Sequence, residues 1–123
     1  LDLDQPATVR TLADRLQQHL PESRLQFALP EADVEITTVG VVPGSGASLA
    51  RSAREQGAEL FVTGEMKHHD ILACLHGGLG VLLAGHTNTE RGYLPRLAHR
   101  LGKALGGLEI SIAQRDRDPL ESL

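Results

Sequence analysis

Chemically capable side chains gather just after apolar runs of this sequence: Ser45, Ser48, Glu65, His68, His69, His86 and Glu90. They fall into three segments. In Gly44-Ser45-Gly46-Ala47-Ser48 a glycine loop leads into a helical pattern. Such a loop turns backbone N–H groups toward a helix start, where anions are favoured. It lacks the Lys-Ser/Thr ending of a Walker A loop and the third glycine of a dinucleotide fingerprint. The other use of the segment is a tight turn capped by Ser45 or Ser48.

Thr63-Gly64-Glu65-Met66-Lys67-His68-His69-Asp70 carries two adjacent histidines. Neighbours on a helix point about 100° apart, so His68 and His69 do not chelate one ion together. His68 shares a face with Ile71, Leu72 and Leu75 and reads as half-buried; His69 lies on the next stripe. In His86-Thr87-Asn88-Thr89-Glu90 an imidazole and a carboxylate stand at i and i+4, a spacing that converges on one metal if the turn is helical. The same string also reads as a capping box, with Thr87 as N-cap and Glu90 reaching back to its N–H.

The elements that must position these groups alternate. Val9, Leu12, Ala13, Leu16 and Leu20 predict an amphipathic helix over Ala7–Leu20, with Pro6 before it. Leu25, Phe27 and Leu29 predict a short strand. A strand from Val34 to Val42 leads into the Gly44 loop, and a helix with Leu49, Ala50 and Ala53 follows. Leu60-Phe61-Val62 leads into Thr63-Gly64-Glu65, then a helix runs from His68 to Gly77-Gly78. Val81-Leu82-Leu83 leads into Gly85-His86 and a long helix with Leu94, Leu97, Leu101 and Leu105. Leu108, Ile110 and Ile112 alternate with Glu109 and Ser111, which predicts an edge strand, and residues 115–123 read as a polar tail. Strand–helix alternation with short loops implies an α/β domain over residues 1–123: three layers, a largely parallel sheet flanked by helices. The three loops then share one sheet edge, at the strands' carboxyl ends, where such sheets bind ligands.

Composition narrows the classes. The 123 residues suit one domain, and a net charge of −4 argues against electrostatic nucleic-acid binding. No apolar run is long enough to span a bilayer. Cys74 is the single cysteine, which excludes an internal disulfide and a Cys-rich zinc site. With Phe27, Phe61 and Tyr93 as the sole aromatics, the core must come from Leu, Val, Ile and Ala.

Taken together in this order, each after its own strand, the Gly44–Ser48 loop, Thr63-Gly64-Glu65 with His68-His69-Asp70, and Gly85-His86 with Thr89-Glu90-Arg91-Gly92 resemble a known pattern. It is the C-terminal half of the Nif-three-like dinuclear metal-centre family, many of whose members carry the label "GTP cyclohydrolase 1 type 2 homolog". The likeness spans roughly residues 8–120. In Thr63–Asp70, His86–Gly92 and Asp116-Arg117-Asp118-Pro119-Leu120 it is closer to eukaryotic members.

The resemblance implies a cleft holding two divalent metal ions between two similar α/β halves. His86 and Glu90 match metal ligands, and Thr63, Gly64, Glu65 and His69 would line the cleft. His69 matches the more general histidine of its motif; His68 stands where many bacterial members have tyrosine. The family's other ligands, a histidine pair and an aspartate, come from an N-terminal half, and no His-His precedes residue 68 here. The resemblance therefore makes this chain a C-terminal part of a longer protein, with an incomplete metal site.

The chemistry expected of the whole is that of a metal-dependent hydrolase acting on a nucleotide or phosphoester. In it Glu65 and His69 are the catalytic candidates and Gly44, Ser45 and Gly46 hold a phosphate. The alternative is a metal-containing protein-interaction or transcription-related regulatory protein without turnover. The resemblance further implies a homo-oligomer, a hexameric ring in the family, with protein partners. The location expected is the cytoplasm, with the nucleus as a second compartment.

Overall fold

Leu60 and Phe61 are adjacent and completely buried, yet they belong to different cores. Successive side chains of a strand face opposite sides of the sheet, so a strand buried on both faces must be apolar throughout. Leu60 packs with Val9, Ile36, Val39 and Leu82, beneath Leu12 and Leu16. Phe61 packs with Ala50, Ala58, Cys74, Leu79 and Val81, beneath Ala53 and Ile71. The sheet is thus the middle of three layers, as the alternating pattern predicts.

The computed structural model describes residues 1–20, 24–115 and 117–119. In chain order the elements are β1 (Asp2–Thr8), α1 (Val9–His19), β2 (Gln26–Ala28), β3 (Glu35–Ser45), α2 (Ala47–Glu55), β4 (Leu60–Glu65), α3 (His68–His76), β5 (Gly80–Leu83), α4 (His86–Arg91) and α5 (Leu94–Ala104). The sheet order is β1-β3-β4-β5-β2. The three central strands run parallel, and β1 and β2 pair antiparallel at the two edges. Helix α1 covers one face; α2 and α3 cover the other.

Three expectations are corrected. The first element is a strand, with the helix beginning only at Val9. Thr8 is its N-cap: the Thr11 N–H donates to Thr8 Oγ1 at 3.2 Å. Pro6 lies in edge strand β1, where a missing N–H is tolerated. Next, the long helix after β5 is broken at Gly92 into α4 and α5. Finally, Leu108–Ile112 forms no strand. Alternation states which face of a strand is dry, but a strand also needs a ladder partner. The edges are taken by β1 and β2, and Leu108 remains 61% exposed. Of the expected polar tail, residues 116 and 120–123 lie outside the described residues.

Candidate metal centre

The strand ends converge because of a bulge. β3 and β4 stay in register from Val39↔Leu60 to Val42↔Thr63, then slip to Ser45↔Glu65. One extra residue on β3 is accommodated at Pro43-Gly44, with Gly44 at φ +68. Thr63, fully buried, clamps the bulge: its Oγ1 accepts the Gly46 N–H at 3.0 Å and donates to Gly44 O at 3.1 Å. A second threonine fastens α4. Thr89 Oγ1 accepts the Gly44 N–H at 2.9 Å and lies 2.8 Å from His86 O and 3.1 Å from Gly85 O, either of which can take its proton. Gly64 lets these parts meet, since a Cβ there would sit 2.6 Å from Gly44 O and 2.8 Å from Thr89 Oγ1.

This scaffold holds one imidazole between two carboxylates. His86 Nδ1 is 2.9 Å from Glu65 Oε1, and His86 Nε2 is 3.4 Å from Glu90 Oε1. All three side chains are about half exposed, so the group opens to a cleft. Gly44 supplies the room: a Cβ at that position would run into the Glu90 carboxylate and lie 3.2 Å from His86 Nε2. The hydrogen bond to Glu65 holds the His86 imidazolium above the usual histidine range. Desolvation opposes this rise, while the charges of Glu90, Glu65 and Asp118 add to it.

A neutral imidazole has one N–H and satisfies one carboxylate. Its other nitrogen and the second carboxylate are then two acceptors facing each other, a pair that a cation relieves. The donor types, imidazole nitrogen and carboxylate oxygen, suit a zinc-like divalent ion. Among the described residues no group of three or more His, Cys, Asp or Glu side chains is set to hold a metal ion. The His86 ring separates Glu65 from Glu90, so the residues present fit part of a coordination shell, two ligands where three or four are usual.

Several sequence expectations resolve here. Ser45, Glu65 and His86 do lie at the strands' carboxyl ends. The Thr87 capping box does not form: α4 starts at His86 with Gly85 as N-cap and no side-chain cap. Glu90 instead faces His86 one turn back. Neither Ser45 nor Ser48 caps α2, whose N-cap is Gly46. Of the Gly44, Ser45 and Gly46 groups expected to hold a phosphate, the Gly44 and Gly46 amides are bonded inside the protein, to Thr89 and Thr63. His68 is exposed at the start of α3, not half-buried. His69 is not brought to the centre; its side chain is 75% exposed and lies 3.5 Å from Asp70.

A cleft of about 530 Å³ opens beside His86, lined by Glu65, Gly64 and Thr87 and also by Arg24, Gln26 and Asp118. The last three were not expected. Because β2 is antiparallel to β5, its first residue pairs with the last of β5, Gln26↔Leu83, and the chain entering β2 reaches the site edge. A three-residue strand gives no sign of its direction in sequence, so no local signal could have placed Arg24 there.

A family model described as Duf34/NIF3 (NGG1p interacting factor 3) matches residues 1–119. The chain is 36% identical over 123 residues to NIF3-like protein 1 of Homo sapiens, covering 97% of this chain and 32% of that protein. It is 34% identical over 128 residues to the Schizosaccharomyces pombe protein NIF3 homolog, covering 99% of this chain and 45% of the relative. The chain thus spans less than half of these relatives' length. Among solved structures, Staphylococcus aureus protein SA1388 superposes with a TM-score of 0.79 at 23% identity, over 99% of this chain and 40% of its own. That likeness shows the fold. Among the described residues no helix is long and apolar enough to cross a membrane.

Proposed function

This chain belongs to the Duf34/NIF3 family, and we propose that it supplies one wall of a divalent-metal centre, with His86 and Glu90 as its ligands. The observation that carries this reading is the approach of His86 Nε2 and Glu90 Oε1 to 3.4 Å over the space left by Gly44. Further ligands would come from outside this chain, and the intact protein would hold two ions. A bound ion would activate water and polarise an electrophilic centre. The substrate class we favour is a nucleotide or phosphoester. Arg24 shares the wall of the cleft beside His86 with the carboxylates of Glu65 and Asp118. His69, exposed in the first turn of α3 and away from the centre, would take part in proton transfer only if a partner surface brought it to the site.

The test has two stages. Zinc or manganese titration of the intact protein, with His86→Ala as the comparison, measures the centre. A screen of nucleotides and phosphoesters then asks for turnover that His86→Ala abolishes. Tight metal binding without turnover would favour the second reading, a metal-containing interaction or regulatory protein of the cytoplasm or nucleus. That reading has its own support in α5, which has no buried residue and exposes Leu97 and Leu101, with Leu105 exposed at its C-cap. A homo-oligomer is the assembly we propose for either reading.

A further inference from the structure

The geometry points to Glu65 as a positioning residue: it holds the proton of His86 on Nδ1 and so leaves Nε2 as the bare nitrogen beside Glu90. The two contacts of the ring are unequal. Nδ1 to Glu65 Oε1 is 2.9 Å, a hydrogen-bond length, whereas Nε2 to Glu90 Oε1 is 3.4 Å, at the outer limit. A single proton shared between these contacts belongs to the shorter one. Free histidine favours the opposite neutral form, with the proton on Nε2, so the assignment departs from what the side chain does alone.

The backbone enforces the choice. Glu65 is the last residue of β4 and His86 the first of α4, and their separation is set by the ladder beneath. The Gly85 N–H donates to Gly64 O at 2.9 Å, and the Ala84 N–H to Thr63 O at 3.0 Å. These bonds place the two residues side by side whichever way the ring is protonated. Glu90 approaches from the far side of the ring through the gap over Gly44. A carboxylate behind a ligating imidazole fixes its tautomer and orientation and raises its basicity. The inference rests on the metal reading only in naming Nε2 as the donor nitrogen; the tautomer itself is a property of the chain alone. It also gives Glu65 a different role from that of an acid–base group working with His69, which it does not touch.

The test is imidazole nitrogen NMR on the metal-free chain, at a pH where His86 is neutral. Wild type is expected to show the Nδ1–H form at His86. Glu65→Ala is expected to shift the population toward Nε2–H. Glu65→Gln is expected to keep Nδ1–H, because an amide oxygen also accepts. Zinc added afterwards should perturb Nε2 first, and Glu65→Ala should weaken zinc affinity about tenfold while Glu65→Gln weakens it less. An Nε2–H form in wild type, or a population unmoved by Glu65→Ala, would overturn the inference. If the tautomers behave as stated and zinc leaves His86 untouched, Glu65 still positions the ring, and it is the metal reading that fails.

Discussion

Glu65 Oε1 and His86 Nδ1 lie 2.9 Å apart although 21 residues separate them in the chain. Each ends or follows its own parallel strand, so the contact is made by the sheet and not by local sequence. It also splits the acidic groups of the site. Glu65 and Glu90 meet opposite nitrogens of the ring, Nδ1 and Nε2, and both carboxylates are about half exposed.

Glu90 is therefore the side chain whose change separates ligand from scaffold. It is half exposed and does not cap α4. Glu90→Gln is expected to move stability by less than about 0.5 kcal/mol. In the intact protein the same change should lower divalent-metal affinity at least tenfold, since a neutral amide replaces a charged oxygen donor. Calorimetric titration and thermal melting of one sample check both. An unchanged affinity with a lower melting point would make Glu90 structural.

Thr63 carries the bulge that brings the strand ends together. Its hydroxyl both accepts from Gly46 N and donates to Gly44 O inside a fully buried pocket. Thr63→Val keeps the volume but leaves a buried N–H and a buried carbonyl unpaired, at about 2–3 kcal/mol. Thr63→Ser keeps both bonds and loses one methyl, about 1 kcal/mol. Denaturant unfolding of the two variants gives the comparison; a serine variant as unstable as the valine one would mean packing, not the hydroxyl, holds the bulge.

At the opposite end of the sheet a single carboxylate ties β4 to β3. Glu59 Oε2 accepts from Thr37 N at 2.6 Å, Thr37 Oγ1 at 2.8 Å and Thr38 N at 3.1 Å. The backbone and hydroxyl of Thr37 hold this carboxyl below its ordinary value of 4.5 against an opposing desolvation effect, and the Thr38 amide adds to the lowering. The folded chain thus binds the proton more weakly than the unfolded chain. The stabilisation is present above the unfolded value and is lost as pH falls through the folded one. Glu59→Gln should cost about 1 kcal/mol at neutral pH, after allowance for solvent screening of an exposed group. Its melting temperature should fall less on acidification than that of wild type. Parallel acid limbs for the two proteins would remove Glu59 from the account.

The sequence was legible where one periodicity acts alone. Leu60-Phe61-Val62 and Val81-Leu82-Leu83 are short, wholly apolar and bounded by glycines, and they are the central strands. The spacing of His86 and Glu90 left a one-turn pair and a capping box open, and it was the family resemblance that favoured the pair. What escaped depends on partners remote in sequence. Leu1–Asp4 looks featureless, but Leu1 exchanges backbone hydrogen bonds with Val39, from its amino group at 2.9 Å and to its carbonyl at 2.8 Å. The Gly44 and Gly46 amides look available in a glycine loop until Thr89 and Thr63 are brought to them. Leu108–Ile112 has the alternation of a strand and no ladder.

The exposed side of α5 gives a fourth expectation. An isolated helix of 11 residues is marginal in water, and Leu97 and Leu101, with Leu105 at the C-cap, recur at i, i+4 spacing and stay 36%, 38% and 47% exposed. The chain is expected to self-associate, and Leu101→Glu to reduce that association. Sedimentation over a concentration series reads it. A wild-type monomer at the highest soluble concentration would count against the assembly proposed above.

Gly44 offers the sharpest test, because strain and collision can be separated there. Its φ of +68 lies in the left-handed region, where alanine costs about 1–2 kcal/mol. An added Cβ also meets the Glu90 carboxylate and lies 3.2 Å from His86 Nε2. Gly57 is a control within the same chain: its φ is +90, with nothing within 4 Å of an added Cβ. Gly57→Ala should carry the backbone strain alone. Gly44→Ala should carry the strain and push Glu90 off His86 Nε2. The two variants are thus expected to lose similar stability, while only Gly44→Ala lowers the metal affinity of the intact protein. Melting curves and zinc titration of both decide the matter. If Gly44→Ala binds zinc as wild type does, the gap over Gly44 is not where the ion sits, and Glu90 is not its ligand.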